Sequence, residues 1–332
     1  MPILEPHHDH AHPVEADAAW SESYYFNAYD PRSDSGFFTR IGIRPNEGTM
    51  DVGLSVWLPD GRLAEYRHVI DQHEMVDAPL VVGGVRFDML EAMRRWRITA
   101  DVDAPARGGR VSDGVSPAVH LAVDVEFVAV SPAVGTDGQQ TGGARTAEAS
   151  AATGTTGKGH LEQAGRWTGS VTVDGVRHPW HGALGNRDRS WGPRRWGGPT
   201  MWRWFSINIG ESLHFGGIRL GTAAGDLQRG WVAEDGLVTS IKEWRLRTEL
   251  ADDRLTHRRV HAVVVDKRDR CYRLTGDVLR VADIGKAGGT VVNEGLTRWT
   301  YLAEDGGVLT GFGIAEYLHQ VDDNGQPAVP VV

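Results

Sequence analysis

Half of the twelve tryptophans lie in one short stretch of this 332-residue chain. They are Trp167, Trp180, Trp191, Trp196, Trp202 and Trp204. Histidine, aspartate and arginine residues lie between them, so aromatic surfaces and ionisable groups come close together in sequence. Cavities that orient an apolar ligand combine an aromatic lining with a few polar groups. A single tryptophan is more often an ordinary core residue, so the cluster as a whole is what predicts a ligand site.

The ionisable residues of this stretch have distinct expected roles. Asp188 is the expected acid or orienting group, because a carboxyl group buried among indoles can stay protonated near neutral pH. Arg189 and Arg194 can anchor a polar end of the ligand, since a guanidinium group matches two oxygens. His178 should share a strand face with Trp180 and is a second candidate proton donor; a structural histidine at a strand end is the alternative.

The elements that position these residues are predicted to be strands. Apolar and polar residues alternate over many short segments, among them Met50–Leu58, Ala118–Val130, Met201–Ile209 and Val308–Leu318, and this period of two is typical of half-buried strands. Turn sequences such as Asp174-Gly175 separate them at hairpin spacing. Only Phe87–Arg95 has a helical pattern, and a strand is equally compatible with it. Periodicity alone leaves a sandwich and a closed barrel open.

Two segments are predicted to lie outside the packed cores. Residues 131–159 are rich in Gly, Thr, Ala and Ser with few large apolar side chains, which indicates a disordered insertion. Residues 1–13 are expected to form a flexible tail. The histidines of that tail, His7, His8, His10 and His12, could bind a transition metal; adventitious binding is the preferred interpretation of a tail without a fixed set of supporting groups.

Composition excludes several classes of function. The formal charge of −9 and pI near 5.9 argue against nucleic-acid binding, because an acidic surface repels phosphates. A single cysteine, Cys271, excludes an internal disulfide and is interpreted as a small hydrophobic residue. No run of eighteen apolar residues and no secretory signal is found, so no membrane insertion and a cytoplasmic location are expected.

Three segments carry a resemblance to a known family. Gly165–Gly175, Gly185–Arg194 and Trp202–Gly210 resemble the AttH and carotenoid 1,2-hydratase (hydroxyneurosporene synthase) superfamily of two-domain lipocalin-like proteins. The family's Asp-His-x-Trp motif corresponds here to Asp188-Arg189-Ser190-Trp191, and arginine cannot donate a proton at neutral pH. Fungal Diels–Alderases have a similar double-barrel architecture.

The resemblance implies an all-β fold of two lipocalin-like antiparallel β-barrel domains in tandem. The expected boundaries are 14–197 for the first barrel and 198–332 for the second. It also implies an enzyme that acts on an apolar isoprenoid, polyketide or steroid-like molecule without a cofactor or metal, by acid-assisted hydration, isomerisation or cyclisation. A non-catalytic carrier and a purely structural double barrel are the alternatives, and a homodimer is compatible with the sequence. The expected catalytic residues are Asp188, His178 and Glu316; the expected substrate-binding residues are Trp180, Arg189, Trp191, Arg194, Trp202, Trp204 and Tyr25.

Overall fold

The structure, a computed structural model, describes residues 2–108, 116–138, 157–222, 225–285 and 289–329. Within these ranges the chain is almost entirely antiparallel β-structure, as the alternating sequence predicts. Two short 3-10 helices, Pro6–Asp9 and Pro45–Glu47, are the helical elements of the described residues, and neither has the length or apolar character needed to cross a membrane. The chain divides into two compact units after Pro193.

The first unit is built around one large sheet. Its strands are β1 (Trp20–Asp30), β2 (Ser35–Arg44), β3 (Thr49–Trp57), β4 (Leu63–Asp71), β5 (Leu80–Val82), β6 (Val85–Glu91), β7 (Arg95–Arg107), β8 (Ser116–Ala129), β9 (Val134–Thr136), β10 (Gly159–Val173) and β11 (Val176–Pro193). The strand order is β4-β3-β2-β1-β11-β10-β8-β7-β6-β5, and β9 pairs with β10. Because β4 also pairs with β7, the strands from β4 round to β7 form a closed antiparallel ring.

Alternate side chains of these strands fill the ring. Along β7 buried and more exposed residues alternate almost without interruption, as expected for a strand with one face in a core. The interior is aromatic: Phe26 lies edge-on to Trp167 with ring centres 5.8 Å apart, and Phe37 stacks on Trp180 at 5.6 Å. Each of these large rings buries an extensive apolar surface, which stabilises the unit together with the aliphatic residues of the same core.

The second unit is a closed eight-stranded antiparallel barrel in simple chain order. Its strands are β12 (Met201–Ile209), β13 (Leu213–Thr222), β14 (Gly225–Glu234), β15 (Leu237–Leu250), β16 (His257–Asp266), β17 (Cys271–Gly285), β18 (Thr290–Leu302) and β19 (Val308–Gln320). Phe205, Phe215, Trp244 and Trp299 are among the interior residues. Cys271, interpreted from the sequence as a buried small hydrophobic residue, is instead exposed at the start of β17. The predicted fold class, two antiparallel barrel-like domains in tandem, is confirmed.

Residues 2–13 do not behave as the flexible tail expected from their composition. Ile3 forms a β-bridge with Val134, and the backbone N–H of Leu4 donates to the carbonyl of Ala133 at 2.9 Å. Asp9 is completely buried, and its Oδ1 accepts a hydrogen bond of 2.6 Å from Arg187. Tertiary ion pairing therefore orders a segment whose local sequence is polar.

The predicted disordered insertion is also corrected in part. Residues 131–138 and 157–159 are ordered: Ala133 and Val134 are buried, β9 lies within this range, and β10 begins at Gly159. Residues 139–156 of the predicted insertion lie outside the described residues. The segment Phe87–Arg95 belongs to β6, a turn and the start of β7, so the strand alternative was the correct one.

Candidate active site

Three ionisable side chains meet on the outer face of the first ring, on neighbouring strands β10 and β11. His160 and Glu162 are two residues apart on β10 and share a face, because successive side chains of a strand alternate between faces. Asp188 of β11 lies directly opposite Glu162 in the register. Strand alternation and antiparallel pairing therefore bring an imidazole and two carboxylates together.

The His160 imidazole lies within hydrogen-bonding or ion-pairing distance of both carboxylates of this trio. His160 Nε2 forms a short hydrogen bond with Asp188 Oδ2, and the same nitrogen lies 3.7 Å from Glu162 Oε1. The exposed fractions of the side chains are 32% for His160, 18% for Asp188 and 3% for Glu162. Solvent can therefore reach the imidazole, while the Glu162 side chain is almost fully covered.

Polar residues extend the trio across β1 and β2. Tyr25 lies opposite Asp188, and Arg40 lies opposite Tyr25. Arg40 forms an ion pair with Asp51 at 3.2 Å. Burial lowers the pKa of Arg40 from its usual range, while the nearby charges of Asp51 and Asp188 act in the opposite direction. A guanidinium group is thus part of the electrostatic surroundings of Asp188.

An aromatic strip adjoins the polar trio on the same face. Tyr25 stacks on Phe38 with ring centres 6.5 Å apart, and Phe38 contacts Trp57 at 5.2 Å. Phe38 and Trp57 are buried. Tyr25, which is only partly buried, is therefore the ring of this strip that an apolar ligand beside the trio could contact.

The trio could also hold a metal ion. One ligand atom from each of His160, Glu162 and Asp188 lies within 4.8 Å of the others, and imidazole with carboxylates suits a first-row divalent cation. Acid–base catalysis and metal binding are thus competing uses of the same three side chains.

Sequence reasoning missed His160 and Glu162 because they follow the segment interpreted as disordered. The signal that could have found them is the His-x-Glu spacing. Two residues at this spacing on a strand that pairs with the Asp188 strand must lie on one face.

Arg189 and Trp191 lie on the opposite face of β11 from Asp188. The Arg189 guanidinium group donates to the carbonyl of His8 at 2.8 Å and to the hydroxyl of Tyr24 at 2.8 Å, and it forms a short ion pair with Glu22. Trp191 stacks on the His12 ring with centres 3.9 Å apart. These two residues hold the N-terminal segment in the interior, and their proposed contact with a substrate stays a prediction.

Trp180 and His178 lie away from Asp188 along the same strand. Trp180 packs in the interior, where its Nε1 donates to Ser35 Oγ at 3.0 Å. His178 is half-buried, lies opposite Val171, and is ten residues from Asp188, a separation of about 30 Å along an extended strand. The structure does not bring either residue to the His160 trio.

The remaining predicted residues belong to the second unit. Trp204 lies opposite Glu316 in the register, and Trp202 Nε1 donates a short hydrogen bond to the Glu316 carboxylate. Arg194 lies over the ring of Trp196 at 5.2 Å. Trp202, Trp204 and Glu316 therefore form a cluster of their own, and the catalytic role of Glu316 remains a prediction.

Comparisons with known proteins agree with this architecture. A crystal structure of a provisionally identified AttH from Nitrosomonas europaea superposes with a TM-score of 0.61 over 93% of this chain and 97% of that one, at 13% sequence identity. Kievitone hydratase from Nectria haematococca superposes with a TM-score of 0.59 over 96% of this chain and 94% of that one, at 12% identity. At these identities the likeness shows the fold, which is the one the AttH resemblance implies.

A search of curated protein sequences finds no match. One family model, described as "Domain of unknown function (DUF7064)", matches residues 5–321, nearly the whole chain. The match spans both units and includes the buried Asp9, the His160 trio and the second barrel. The chain belongs to the DUF7064 family.

Proposed function

We propose that this protein is a hydratase-like enzyme in which His160 and Asp188 form the acid–base pair. The observation that carries the proposal is the hydrogen bond between His160 Nε2 and Asp188 Oδ2 beside the second carboxylate of Glu162. Histidine changes its charge near neutral pH and is the commonest group for proton transfer in enzymes. Asp188 orients the imidazole, as a carboxylate partner does in other catalytic pairs.

The proposed reaction adds water across a carbon–carbon double bond. The His160 imidazolium transfers its proton to one alkene carbon, and the oxygen of a water molecule bonds to the other carbon. The proton lost by that water returns to the imidazole, so the pair ends each cycle in its starting state. This sequence needs no cofactor, and positioning together with one well-placed acid supplies the rate enhancement.

The proposed substrate is an apolar small molecule of isoprenoid, polyketide or steroid type. Tyr25 is only partly buried and lies next to the acid–base pair, backed by the buried rings of Phe38 and Trp57, and an aromatic face stabilises positive charge that develops on carbon. The likeness in fold to a kievitone hydratase is the reason to choose hydration over isomerisation or cyclisation.

Kievitone is the first compound to test with the purified full chain, followed by a panel of prenylated phenols and terpenoids. Mass spectrometry detects a product that is heavier by one water. We expect turnover by the wild-type chain and none by His160→Gln or Asp188→Asn.

His120→Gln and Asp103→Asn are matched controls, because His120 and Asp103 form an exposed histidine–aspartate pair at 3.1 Å on β7 and β8. They should leave turnover unchanged. Full activity of His160→Gln, or an equal loss in the control variants, would refute the assignment. A tightly retained lipid in stoichiometric amount, without turnover of any compound, would support the carrier alternative instead.

A further inference from the structure

One end of the second barrel contains a buried cluster of basic side chains around the ring of Tyr317. Arg203 of β12, His257 of β16 and His319 of β19 form this basic cluster, and all three side chains are buried. The Arg203 guanidinium carbon lies 4.3 Å from the centre of the Tyr317 ring, and His257 stacks on the same ring at 4.1 Å. The ring of His319 is 6.2 Å from that of Tyr317.

Arg203 lacks an acidic partner. Its Nη1 donates to two backbone carbonyls, of Trp202 at 2.7 Å and of Leu318 at 2.9 Å. Its Nη2 has no hydrogen-bond partner within the described residues, and no carboxylate in those ranges forms an ion pair with it. By contrast, the buried Arg187 and Arg189 of the first unit each pair with a carboxylate.

The two histidines of the basic cluster also have ring nitrogens without hydrogen-bond partners among the described residues. His257 Nε2 is hydrogen-bonded to the carbonyl of Ala315 at 2.8 Å, which leaves Nδ1 without a partner among the described residues. Neither ring nitrogen of His319 has a hydrogen-bond partner of normal length and angle in the described part of the chain, although the Leu255 backbone lies near enough to raise its pKa. Buried polar atoms in native proteins are normally satisfied by protein groups or ordered water, and these four lie together in one cluster, where a small polar ligand or water can satisfy them.

The basic cluster carries one positive charge at neutral pH. Burial, with the charge of Arg203, lowers the pKa of His257 to about 4, although its bond to Ala315 acts in the other direction. Burial, with the charges of Arg203 and His257, lowers the pKa of His319 to about 3, against the opposing influence of the Leu255 backbone and Asp253. Burial lowers the pKa of Arg203 to about 10, so the guanidinium stays charged.

The two acidic groups whose charges act on Arg203 and His319 have partners of their own. Asp226 pairs with Arg219 at 2.6 Å, and Asp253 accepts hydrogen bonds from the backbone of Leu255 and Thr256. A buried charge without a counter-ion is costly. A bound anion would compensate the buried charge of Arg203, so anion binding at the basic cluster is energetically favourable.

We propose that this end of the second barrel binds the carboxylate group of a small monoanion, with Arg203 Nη2 and a ring N–H of His319 as donors. A carboxylate fits because its single charge balances the single charge of the basic cluster and its two oxygens match two separate donors. A neutral histidine offers one donor and one acceptor, so His257 Nδ1 can accept a hydrogen bond from a hydroxyl or from bound water. The site uses second-unit residues alone and goes beyond the proposed hydration chemistry.

The test is calorimetric titration of the full chain with sodium acetate and sodium benzoate, using sodium chloride at equal ionic strength as the reference. We expect saturable binding of a carboxylate to the wild-type chain, and affinity reduced by about tenfold or more in Arg203→Gln, since loss of one charge-assisted hydrogen bond has an effect of that order. His319→Phe keeps a ring of similar size and should also weaken binding; it serves as the test if Arg203→Gln does not fold.

Arg245→Gln is the control for general electrostatic attraction, because Arg245 is exposed and pairs with Glu243 on the barrel surface. It should bind carboxylate as tightly as the wild-type chain. Heat effects that are equal for carboxylates and chloride in the wild-type chain, or equal weakening by Arg203→Gln and Arg245→Gln, would overturn the proposal.

Discussion

Asp9 and Arg187 are 178 positions apart in the chain, yet Asp9 Oδ1 accepts a 2.6 Å hydrogen bond from Arg187 Nη1 in the interior of the first unit. Arg187 also donates to Gln163 Oε1 at 2.7 Å, and Asp9 Oδ2 accepts from the backbone N–H of Met93. This network joins the N-terminal segment to β10 and β11, the strands that carry the candidate active site.

We therefore expect Asp9→Asn to destabilise the first unit strongly. The variant leaves Arg187 buried without a compensating charge, a change that typically costs about 3–5 kcal/mol. Chemical denaturation measures the difference in the free energy of unfolding. Asp77→Asn is the matched control, since Asp77 forms a largely exposed pair with His10 and such pairs contribute little. Equal stability of the two variants would contradict the structural role of Asp9.

Acid stability should reflect His257 and His319, which are buried in the neutral form with pKa values of about 4 and about 3. In the unfolded chain both histidines take up protons near pH 6.5. The unfolded state then binds more protons than the folded state, so stability is complete above about pH 6.5 and falls as the pH drops toward 4. We expect His319→Phe to make this decline shallower.

Asp9 adds a second acid transition at lower pH. Burial raises the pKa of its carboxyl group, but Arg187, the Met93 N–H and Arg189 outweigh burial and hold the pKa below its usual value. The stability contributed by Asp9 is therefore present above about pH 4 and is lost as the pH falls through the lowered pKa. Denaturation at a series of pH values checks both transitions, with His68→Phe as an exposed histidine control. If stability depended on pH in the same way in His319→Phe and in the control, the assignment of the first transition to the buried histidines would be contradicted.

Gly159 is expected to be intolerant of a side chain. A Cβ at this position would overlap the indole of Trp191, which lies opposite in the register of β10 and β11. Gly159→Ala should thus destabilise the first unit by about 1–3 kcal/mol through overpacking, measured as a lower midpoint of thermal unfolding. Gly53→Ala provides the matched strand control, because its added Cβ meets open space. A stable Gly159→Ala variant would show that the Trp191 ring can move.

A divalent cation should inhibit the proposed enzyme. Zinc can bind His160, Glu162 and Asp188 together, and a metal-bound imidazole cannot transfer a proton. We expect added zinc to suppress turnover, chelation with EDTA to restore it, and EDTA alone to have no effect. Loss of turnover on chelation, followed by recovery with zinc, would instead show that the trio is a catalytic metal site.

Strand alternation made much of the fold predictable. The predicted segment Met201–Ile209 coincides with β12, although both of its faces are buried rather than one. The start of β10 was not predictable in this way, since Gly159 and its neighbours follow a Gly- and Thr-rich run and become a strand by pairing with β9 and β11. The order of residues 2–13 depends on ion pairs to Arg187 and Arg189, which no local pattern reveals.

The candidate site was predictable only in part. Asp188 and Tyr25 were selected from the sequence, and the structure places them opposite each other. Arg189 was grouped with Asp188 because the two are adjacent, yet adjacent residues of a strand point to opposite faces. Strict alternation along the strand places Asp188 and Arg189 on opposite faces. The partners of Asp188 are then to be sought on its own face of the neighbouring strand, where His160 lies.

Proton transfer by His160 under the control of Asp188 is the central step of the proposed reaction. Its most direct test is turnover of an alkene substrate in deuterated water, with mass spectrometry and NMR of the product. The wild-type chain and the His120→Gln control should place one deuterium on the carbon next to the new hydroxyl-bearing carbon, and His160→Gln and Asp188→Asn should not. Deuterium incorporation at the wild-type rate by His160→Gln would contradict the account.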